Sequence, residues 1–469
     1  MIDRDAVRAN AKYLRRVRPI DPEEICEYVE GSPHPAVVRR TLREEAFDLG
    51  LVERADGTFV PVDDDPIRPP GWRPESFPED YASALEDFLA ERYGANWHGG
   101  ESGDRLRETI RRLKADYYHG NDVEYDAEAA AGYAIYHLPD YYATVGYVLD
   151  DLAERGLLPR TLRVLDVGAG TGGPALGLHD YLPDDALVEY HAVEPSAASD
   201  ALRALLSGTR TNFRPAVHRT TAEAFEPSEV ADEWDLVLFA NVLSELDDPV
   251  AVVDRYLDAV ADDGSLVAVA PADLNTSTGL REVERAVAPP DSGAAVYSPT
   301  LRLWPGRAPS DRGWSFDVKP DLDVPRFQRR LDEGGDDEPG TFVNVDVQYS
   351  YAILRRDGAR RFDVRADPGR HAAMAEMERH VTERIDLLAV KLSCDLSEGG
   401  NPLFKVGDGS EAIEHYAVLT RESGLNEALR RAPYGAVLAF ENALCLWNDD
   451  EGAYNLVVDG ETVVDVVAA

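Results

Sequence analysis

The run Leu162-Arg-Val-Leu-Asp-Val-Gly-Ala-Gly-Thr-Gly172 has the chemistry to seat a nucleotide-type cofactor: an apolar strand ends on a carboxylate and empties into a glycine turn. Gly168, Gly170 and Gly172 allow tight turning and close backbone approach, and the helix expected next, from Pro174, offers free backbone N–H groups. A second apolar strand, residues 187–193, ends on Glu194, an acid placed to hydrogen-bond ribose hydroxyls. Glu223 lies just beyond a third strand, residues 213–218, and Asn241 just beyond a fourth, residues 234–240. Two ligands compete for this set. A dinucleotide needs a pyrophosphate cradle and a third glycine that packs the helix on the sheet. S-adenosylmethionine has no phosphate; it needs a glycine loop, an acid for the ribose and an apolar slot for adenine. Asp166, Gly168, Ala169, Gly170, Gly172, Glu194, Glu223 and Asn241 fit the second set of requirements, and they are the candidate cofactor contacts.

The elements that must position them alternate strand and helix from residue 162, the pattern of a doubly wound parallel sheet. A fifth strand is expected at 265–270, and residues 341–347 with 349–354 are expected to close the sheet as an antiparallel pair. Residues 76–160 read as helical, with a long helix over 126–156 broken at Pro139. Residues 161–367 form the Rossmann-like core, interrupted by a proline- and glycine-rich insertion at 271–340.

Flanking units bracket this core. Residues 1–62 show helix, helix and a hairpin with an Asp56-Gly57 turn, a winged-helix-like layout. On its second helix Arg39, Arg40 and Arg43 either touch phosphates or pair with Glu44 and Glu45 on a solvated face. Residues 63–75 are a linker by composition. After a connecting helix at 368–387, residues 388–469 give three strands, a short helix and more strands, the order of an OB-like barrel. There Phe404, Tyr416, Trp447 and Tyr454 either stack bases or fill the core, and Lys391, Lys405 and Arg421 tilt the unit towards nucleic-acid binding.

Composition narrows the setting. The net charge is −40 with 44% hydrophobic residues, so the chain builds real cores under a very acidic surface. Only Lys12, Lys114, Lys319, Lys391 and Lys405 are lysine among 48 basic residues. That balance suits a very salty cytosol, where the Debye length falls to about 3 Å at 1 M salt and self-repulsion is muted. No long apolar stretch suggests a membrane span, the N-terminus has no signal-type segment, and the cytoplasm is the expected location. Cys26, Cys394 and Cys445 are too few and too scattered for a disulfide framework or a cysteine-rich metal site.

One resemblance covers residues 126–356. Ala130-Ala-Gly-Tyr-Ala-Ile-Tyr-His-Leu-Pro-Asp-Tyr-Tyr-Ala143, the glycine loop, Phe239-Ala-Asn-Val-Leu-Ser-Glu-Leu246, Pro271 and Gln348-Tyr-Ser-Tyr-Ala-Ile-Leu354 resemble class I methyltransferases. In particular they resemble the small-ribosomal-subunit-associated methyltransferase-like family, which includes mitochondrial ribosome assembly factors. The resemblance implies S-adenosylmethionine as cofactor and small-subunit rRNA, or the small subunit itself, as partner. Members of that family carry cysteines in the insertion, thought to hold an iron–sulfur cluster. Here residues 271–340 contain no cysteine, and Trp314-Ser-Phe316 stands at the expected ligand element. No iron–sulfur cluster is therefore expected; packing of Trp304, Trp314 and Phe316 is expected to hold the insertion instead.

Methyl transfer from a sulfonium is an in-line displacement that chiefly needs orientation and a dry slot, so no catalytic residue is assigned. Asn241 and Ser244 either face the acceptor or cap the helix that follows Asp247-Asp-Pro249. Two functions remain open: an S-adenosylmethionine-dependent RNA methyltransferase, or a catalytically silent ribosome-assembly factor that keeps the fold as a scaffold for rRNA.

Overall fold

Aspartates open many of the helices, because their carboxylates satisfy backbone N–H groups that a first turn leaves free. In the computed structural model, which describes residues 2–119, 121 and 125–469, Asp3 caps α1 (Arg4–Leu14) and Asp21 caps α2 (Pro22–Tyr28) in this way. α3 (Pro35–Leu49) ends on Gly50 in the left-handed conformation, φ +59°, where glycine carries no steric cost. β1 (Leu51–Glu53) and β2 (Phe59–Pro61) then pair antiparallel. The N-terminal segment is thus three helices and a hairpin, and its core of Val7, Ile25, Val38, Leu42 and Phe59 also takes in Leu187.

α4 (Glu79–Tyr93), α5 (Gly100–His119) and α6 (Ala127–Ala153) follow. Residues 63–75, expected as a linker, are packed down instead. Ile67 is buried, Trp72 Nε1 donates to the Ala143 carbonyl at 2.8 Å, and a Cβ on Gly146 would lie 2.4 Å from that indole.

Nor is α6 broken at Pro139. Proline removes the N–H that would bond the Ile135 carbonyl. The wholly buried Gln328 supplies the missing donor, its Nε2 lying 2.9 Å from Ile135 O and 3.2 Å from Tyr136 O. The helix therefore runs through the proline for 27 residues.

β3 (Thr161–Val167), α7 (Gly173–Tyr181), β4 (Leu187–Val193), α8 (Ala198–Leu206) and β5 (Phe213–His218) are the start of the Rossmann-like pattern. β3 pairs parallel with β4, and β4 with β5. β6 (Trp234–Ala240) comes next. The chain divides into two compact units, the first holding residues up to Glu226 with Trp234–Leu236 and Leu322–Val345, the second holding the rest.

In the second unit Asp248 caps α9 (Pro249–Asp258), β7 (Val260–Pro271) follows, and Asp273 caps α10 (Leu274–Val287). β8 (Ala295–Ser298) and β9 (Asp317–Lys319) precede α11 (Arg326–Glu333), which belongs to the first unit, and β10 (Val347–Arg355) returns to the second. β10 runs antiparallel to β7, β8 and β9. The closing antiparallel pair expected from 341–347 and 349–354 does not form, because α11 side chains take the amides of the earlier segment. Asp332 accepts from Gly340 and Phe342 N–H, and Gln328 Oε1 accepts from Asn344 N–H.

No α-helix spans 368–387. A short 3-10 stretch, Met374–His380, ends before Thr382, whose φ is +72°, and β11 (Arg384–Lys391) has already begun. β12 (Leu403–Gly407), β13 (His415–Leu419), α12 (Ala428–Arg431), β14 (Val437–Asn448), β15 (Ala453–Val458) and β16 (Val463–Ala468) complete the chain. The strands close in the order β11-β12-β13-β15-β14 and back to β11, with β13 and β15 parallel and β16 added outside β14. That is a five-stranded barrel with OB-fold connectivity. The runs expected as two strands, 436–440 and 444–447, form one 12-residue strand, β14.

Candidate cofactor site

The strand register brings three loops of the first unit to one edge. Asp166 stands opposite Ala192, and Val193 opposite His218, so the loops after β3, β4 and β5 open at the same strand ends. Backbone bonds continue past the strands: Gly168 N–H to Val193 O at 2.8 Å, and Glu194 N–H to His218 O at 3.0 Å.

Within the loop Gly168, Gly170 and Gly172 have φ of +70°, +52° and +100°, a region that side chains disfavour. Gly172 also meets a neighbour, since a Cβ there would lie 2.6 Å from Leu202 Cδ1. A Cβ on Gly170 would make only ordinary contacts, with Tyr133 Cε1 at 3.9 Å and Gly168 O at 4.0 Å. Glu194 is nearly buried and ties the loop to the β4 end, accepting from Gly170 N–H through Oε2 and from Ser196 N–H through Oε1, both at 2.9 Å. Each oxygen keeps lone-pair capacity for a further donor.

Asp166 is fully buried. Its Oδ2 accepts from the Tyr190 hydroxyl, whereas Oδ1 has no hydrogen-bond partner. Burial pushes its carboxyl up to about 7 against the opposing Tyr190 hydrogen bond, with Glu194 adding a smaller push in the same direction as burial.

Tyr133, the side chain nearest Gly170, belongs to a cluster of four aromatic residues. Tyr133, His137 and Tyr141 recur every four residues along one face of α6, and Tyr125 lies just before it. Tyr125 meets Tyr133 edge-on at 5.4 Å, Tyr133 meets His137 at 4.9 Å, and His137 stacks on Tyr141 at 5.1 Å. Asn344 Nδ2 lies 3.2 Å from both His137 Nδ1 and Asp140 Oδ2. The half-buried Asp140 keeps its buried Oδ1 without a partner, and loss of solvent raises its carboxyl. Sequence reading did not single out this stripe as a site, although its four-residue spacing on an otherwise apolar helix was visible.

The remaining candidates are placed differently. Glu223 is exposed on the turn after β5, between buried Ala222 and Phe225. Asn241 belongs to the second unit, where it follows β6 with a left-handed φ of +60° and donates its N–H to Val269 O at 2.9 Å. Neither Asn241 nor Ser244 caps α9, since Asp248 Oδ1 accepts from Ala251 N–H at 3.0 Å. The structure thus gathers Asp166, the glycine loop and Glu194.

In the second unit the insertion is wired to the barrel. Lys405 Nζ donates to Asp311 Oδ2 at 2.8 Å, Trp304 Nε1 to Asp408 Oδ2 at 2.7 Å, and Arg312 Nη2 to Glu414 Oε2 at 2.8 Å. The buried Glu411 accepts at its carbonyl from Ser310 N–H at 2.8 Å. These contacts seat the insertion on Lys405 of β12 and on the loop that joins β12 to β13, beside the face on which OB barrels commonly take ligands.

Lys405 and Lys391, expected to favour nucleic acid, are both buried, and Lys391 Nζ donates to the Ala432 carbonyl at 2.8 Å. A lysine without water must find internal acceptors, and both have done so. Phe404 and Tyr454 lie in the barrel core, Tyr416 is half-buried, and Trp447 is exposed. On α3, Arg40 pairs with Glu44 at 2.9 Å and Arg43 with Glu53 at 2.9 Å.

Comparisons agree with the core. Residues 165–266 match a family model described as a methyltransferase domain. Residues 4–55 and 375–467 match the N-terminal and C-terminal domains of a domain of unknown function, DUF8157. No curated protein matches the chain. Among solved structures, YcgJ from Bacillus subtilis is 24% identical over 24% of this chain and 45% of its own, with a TM-score of 0.20. The mitomycin 7-O-methyltransferase MmcR is 15% identical over 57% of this chain and 76% of its own, TM-score 0.25. The plantazolicin methyltransferase BpumL, solved with S-adenosylhomocysteine (SAH), is 11% identical over 59% of this chain and 98% of its own, TM-score 0.30.

Proposed function

We propose that this chain is an S-adenosylmethionine-dependent methyltransferase that acts on RNA of the small ribosomal subunit. The observation that carries the reading is the pairing of Glu194 with the glycine loop: the acid accepts from Gly170 N–H and ties the loop to the end of β4. The donors and acceptors present fit the cofactor. Glu194 retains acceptor capacity for ribose hydroxyls, and Asp166 Oδ1 is a buried acceptor without a partner. The acid at Glu194, bonded to the loop, suits a ligand bearing sulfonium and ammonium charge better than a pyrophosphate.

The bound cofactor would supply an electrophilic methyl group. The chain's own part is orientation and exclusion of water by the loop, Glu194 and the rings of α6. RNA as the acceptor is supported by the helix-and-hairpin N-terminal segment, which suits a winged-helix reading, an architecture that recurs in nucleic-acid binding; the barrel has OB connectivity, but its Lys391 and Lys405 are buried and add no support.

A second reading has two observations in its favour. No cysteine lies between residues 161 and 367, and Asn241-Val-Leu-Ser244 offers no recognisable acceptor-activating element, so the fold also suits a silent scaffold that binds rRNA during ribosome assembly. Crosslinking to RNA in molar potassium chloride, with methyl-labelled cofactor present, separates the two. Enrichment of small-subunit rRNA with label transfer is expected. Enrichment without label leaves the scaffold, and no enrichment removes rRNA as partner.

A further inference from the structure

The exposed surface where α1 ends carries an inference that rests on the RNA reading above. Residues 6–20 hold five basic side chains, Arg8, Lys12, Arg15, Arg16 and Arg18, and no acid, in a chain where acids outnumber bases by 88 to 48. Three of the five serve the fold. Arg8 pairs with Asp48 at 3.3 Å, Arg15 donates to the Leu49 carbonyl at the end of α3, and Arg18 pairs with Glu24. Lys12 and Arg16 are exposed, and among the described residues neither has an ion pair or a side-chain hydrogen bond. The other four lysines all have acceptors: Lys114 in Thr341 O at 3.2 Å, Lys319 in Asp317 at 2.8 Å, and Lys391 and Lys405 in the interior.

Two apolar side chains stand in the open beside these cations. Tyr13 is 71% exposed and Val17 65% exposed, on a backbone that is well anchored. Leu14 is buried, Val17 and Arg18 N–H donate to Leu14 O at 2.8 and 3.0 Å, and Ile20 exchanges two backbone bonds with Phe59. A cation at the C-terminal end of a helix suits the dipole, but the dipole gives no reason to hold a tyrosine in water beside it. RNA uses both features, since phosphates take the cations and an unstacked base takes the ring. An acidic protein surface would use the charges and leave the ring idle. The arginines of α3 are less apt for phosphate, because Glu44 already holds Arg40 and Glu53 holds Arg43.

We propose that Lys12, Tyr13 and Arg16 form the surface by which this chain holds single-stranded RNA, the two cations on phosphates and Tyr13 on a base. The contact thus lies on α1 rather than on the helix that a winged-helix layout offers to a groove. No bond is made or broken by these side chains; they are binding residues. Phosphate contacts act by releasing counterions, so they weaken in strong salt and the ring then carries a larger share of the affinity.

Fluorescence anisotropy of a labelled oligouridine of about 12 nucleotides, titrated with the full chain in potassium chloride stepped from about 0.3 to 2 M, tests this. Tyr13→Ala should weaken binding about five- to 150-fold at every step, the range for one base stacked on an aromatic ring, and Tyr13→Phe should keep it. Lys12→Gln combined with Arg16→Gln should reduce the slope of log affinity against log salt by about 1.4, two phosphate contacts at about 0.7 each. Arg68→Gln combined with Arg73→Gln makes the same charge change at two other exposed arginines and should leave the slope close to that of the wild type. Wild-type binding that the α1 variants leave unaltered, or that the Arg68 and Arg73 control weakens equally, overturns the proposal. Displacement of the RNA by polyglutamate at equal charge also overturns it and makes the surface one for an acidic protein. Absence of binding by the wild type at every step removes the RNA reading and the proposal with it.

Discussion

Asp166 stands one residue before the end of β3, buried, with Tyr190 on one oxygen and nothing on the other. Its carboxyl is held up near 7 by burial, against about 4 for a free aspartate. The folded state therefore keeps the proton more tightly than the unfolded chain does. The stability this brings is full below about pH 4 and is lost as pH rises through 7. Asp166→Asn keeps an acceptor for Tyr190 and removes the titration. Urea unfolding from pH 4.5 to 8 should show the stability of wild type relative to the variant falling by a few kcal/mol, on the order expected for a shift of this size; a constant difference across that range would contradict it. At this scale the glycines were legible in the sequence, because positive φ selects for glycine. The tyrosines of α6 were not, because a ring on a helix face looks the same whether it faces core or ligand. Lys391 and Lys405 misled for a related reason: scarcity in an acidic chain suggested display, whereas both are buried against internal acceptors.

The clearest case among the elements is α6. A proline in its middle removes one backbone bond, and Gln328 from α11 replaces it, a repair between residues 193 positions apart. Gln328→Met should leave the Ile135 carbonyl buried and unbonded, at a cost of about 1–3 kcal/mol. In a Pro139→Ala background the backbone N–H regained at that position should bond the same carbonyl, and the Gln328→Met change should cost clearly less. Equal costs in the two backgrounds, measured by urea denaturation, would refute the repair. This also shows where element prediction fails. Local pattern located β3 to β6 and most barrel strands, since alternation and apolar runs are local properties. It missed the continuity of α6, the irregular path of 341–346 and the absent helix at 368–387, because side-chain donors and acceptors distant in sequence decide these. The packing of residues 63–75 was hidden in the same way, since composition does not reveal that Trp72 fills the place of a Gly146 side chain.

For the whole molecule, composition set the conditions more than the architecture. At a charge of −40, ligand binding depends on how strongly salt screens the surface, so binding is best measured in molar salt. The central fold was legible because one loop, one acid and an alternating pattern are short-range signals that agree with each other. The seat of the insertion on the barrel was not, because Lys405 and Asp311 lie 94 residues apart. The claim on which the rest depends is that the loop at Gly168–Gly172 takes S-adenosylmethionine. Calorimetric titration of that ligand in molar potassium chloride tests it most directly. Saturable binding by the wild type, abolished in Gly168→Arg because a long side chain is forced into a φ of +70° at the loop, is the predicted result; no binding by the wild type, or equal binding by the variant, would contradict it.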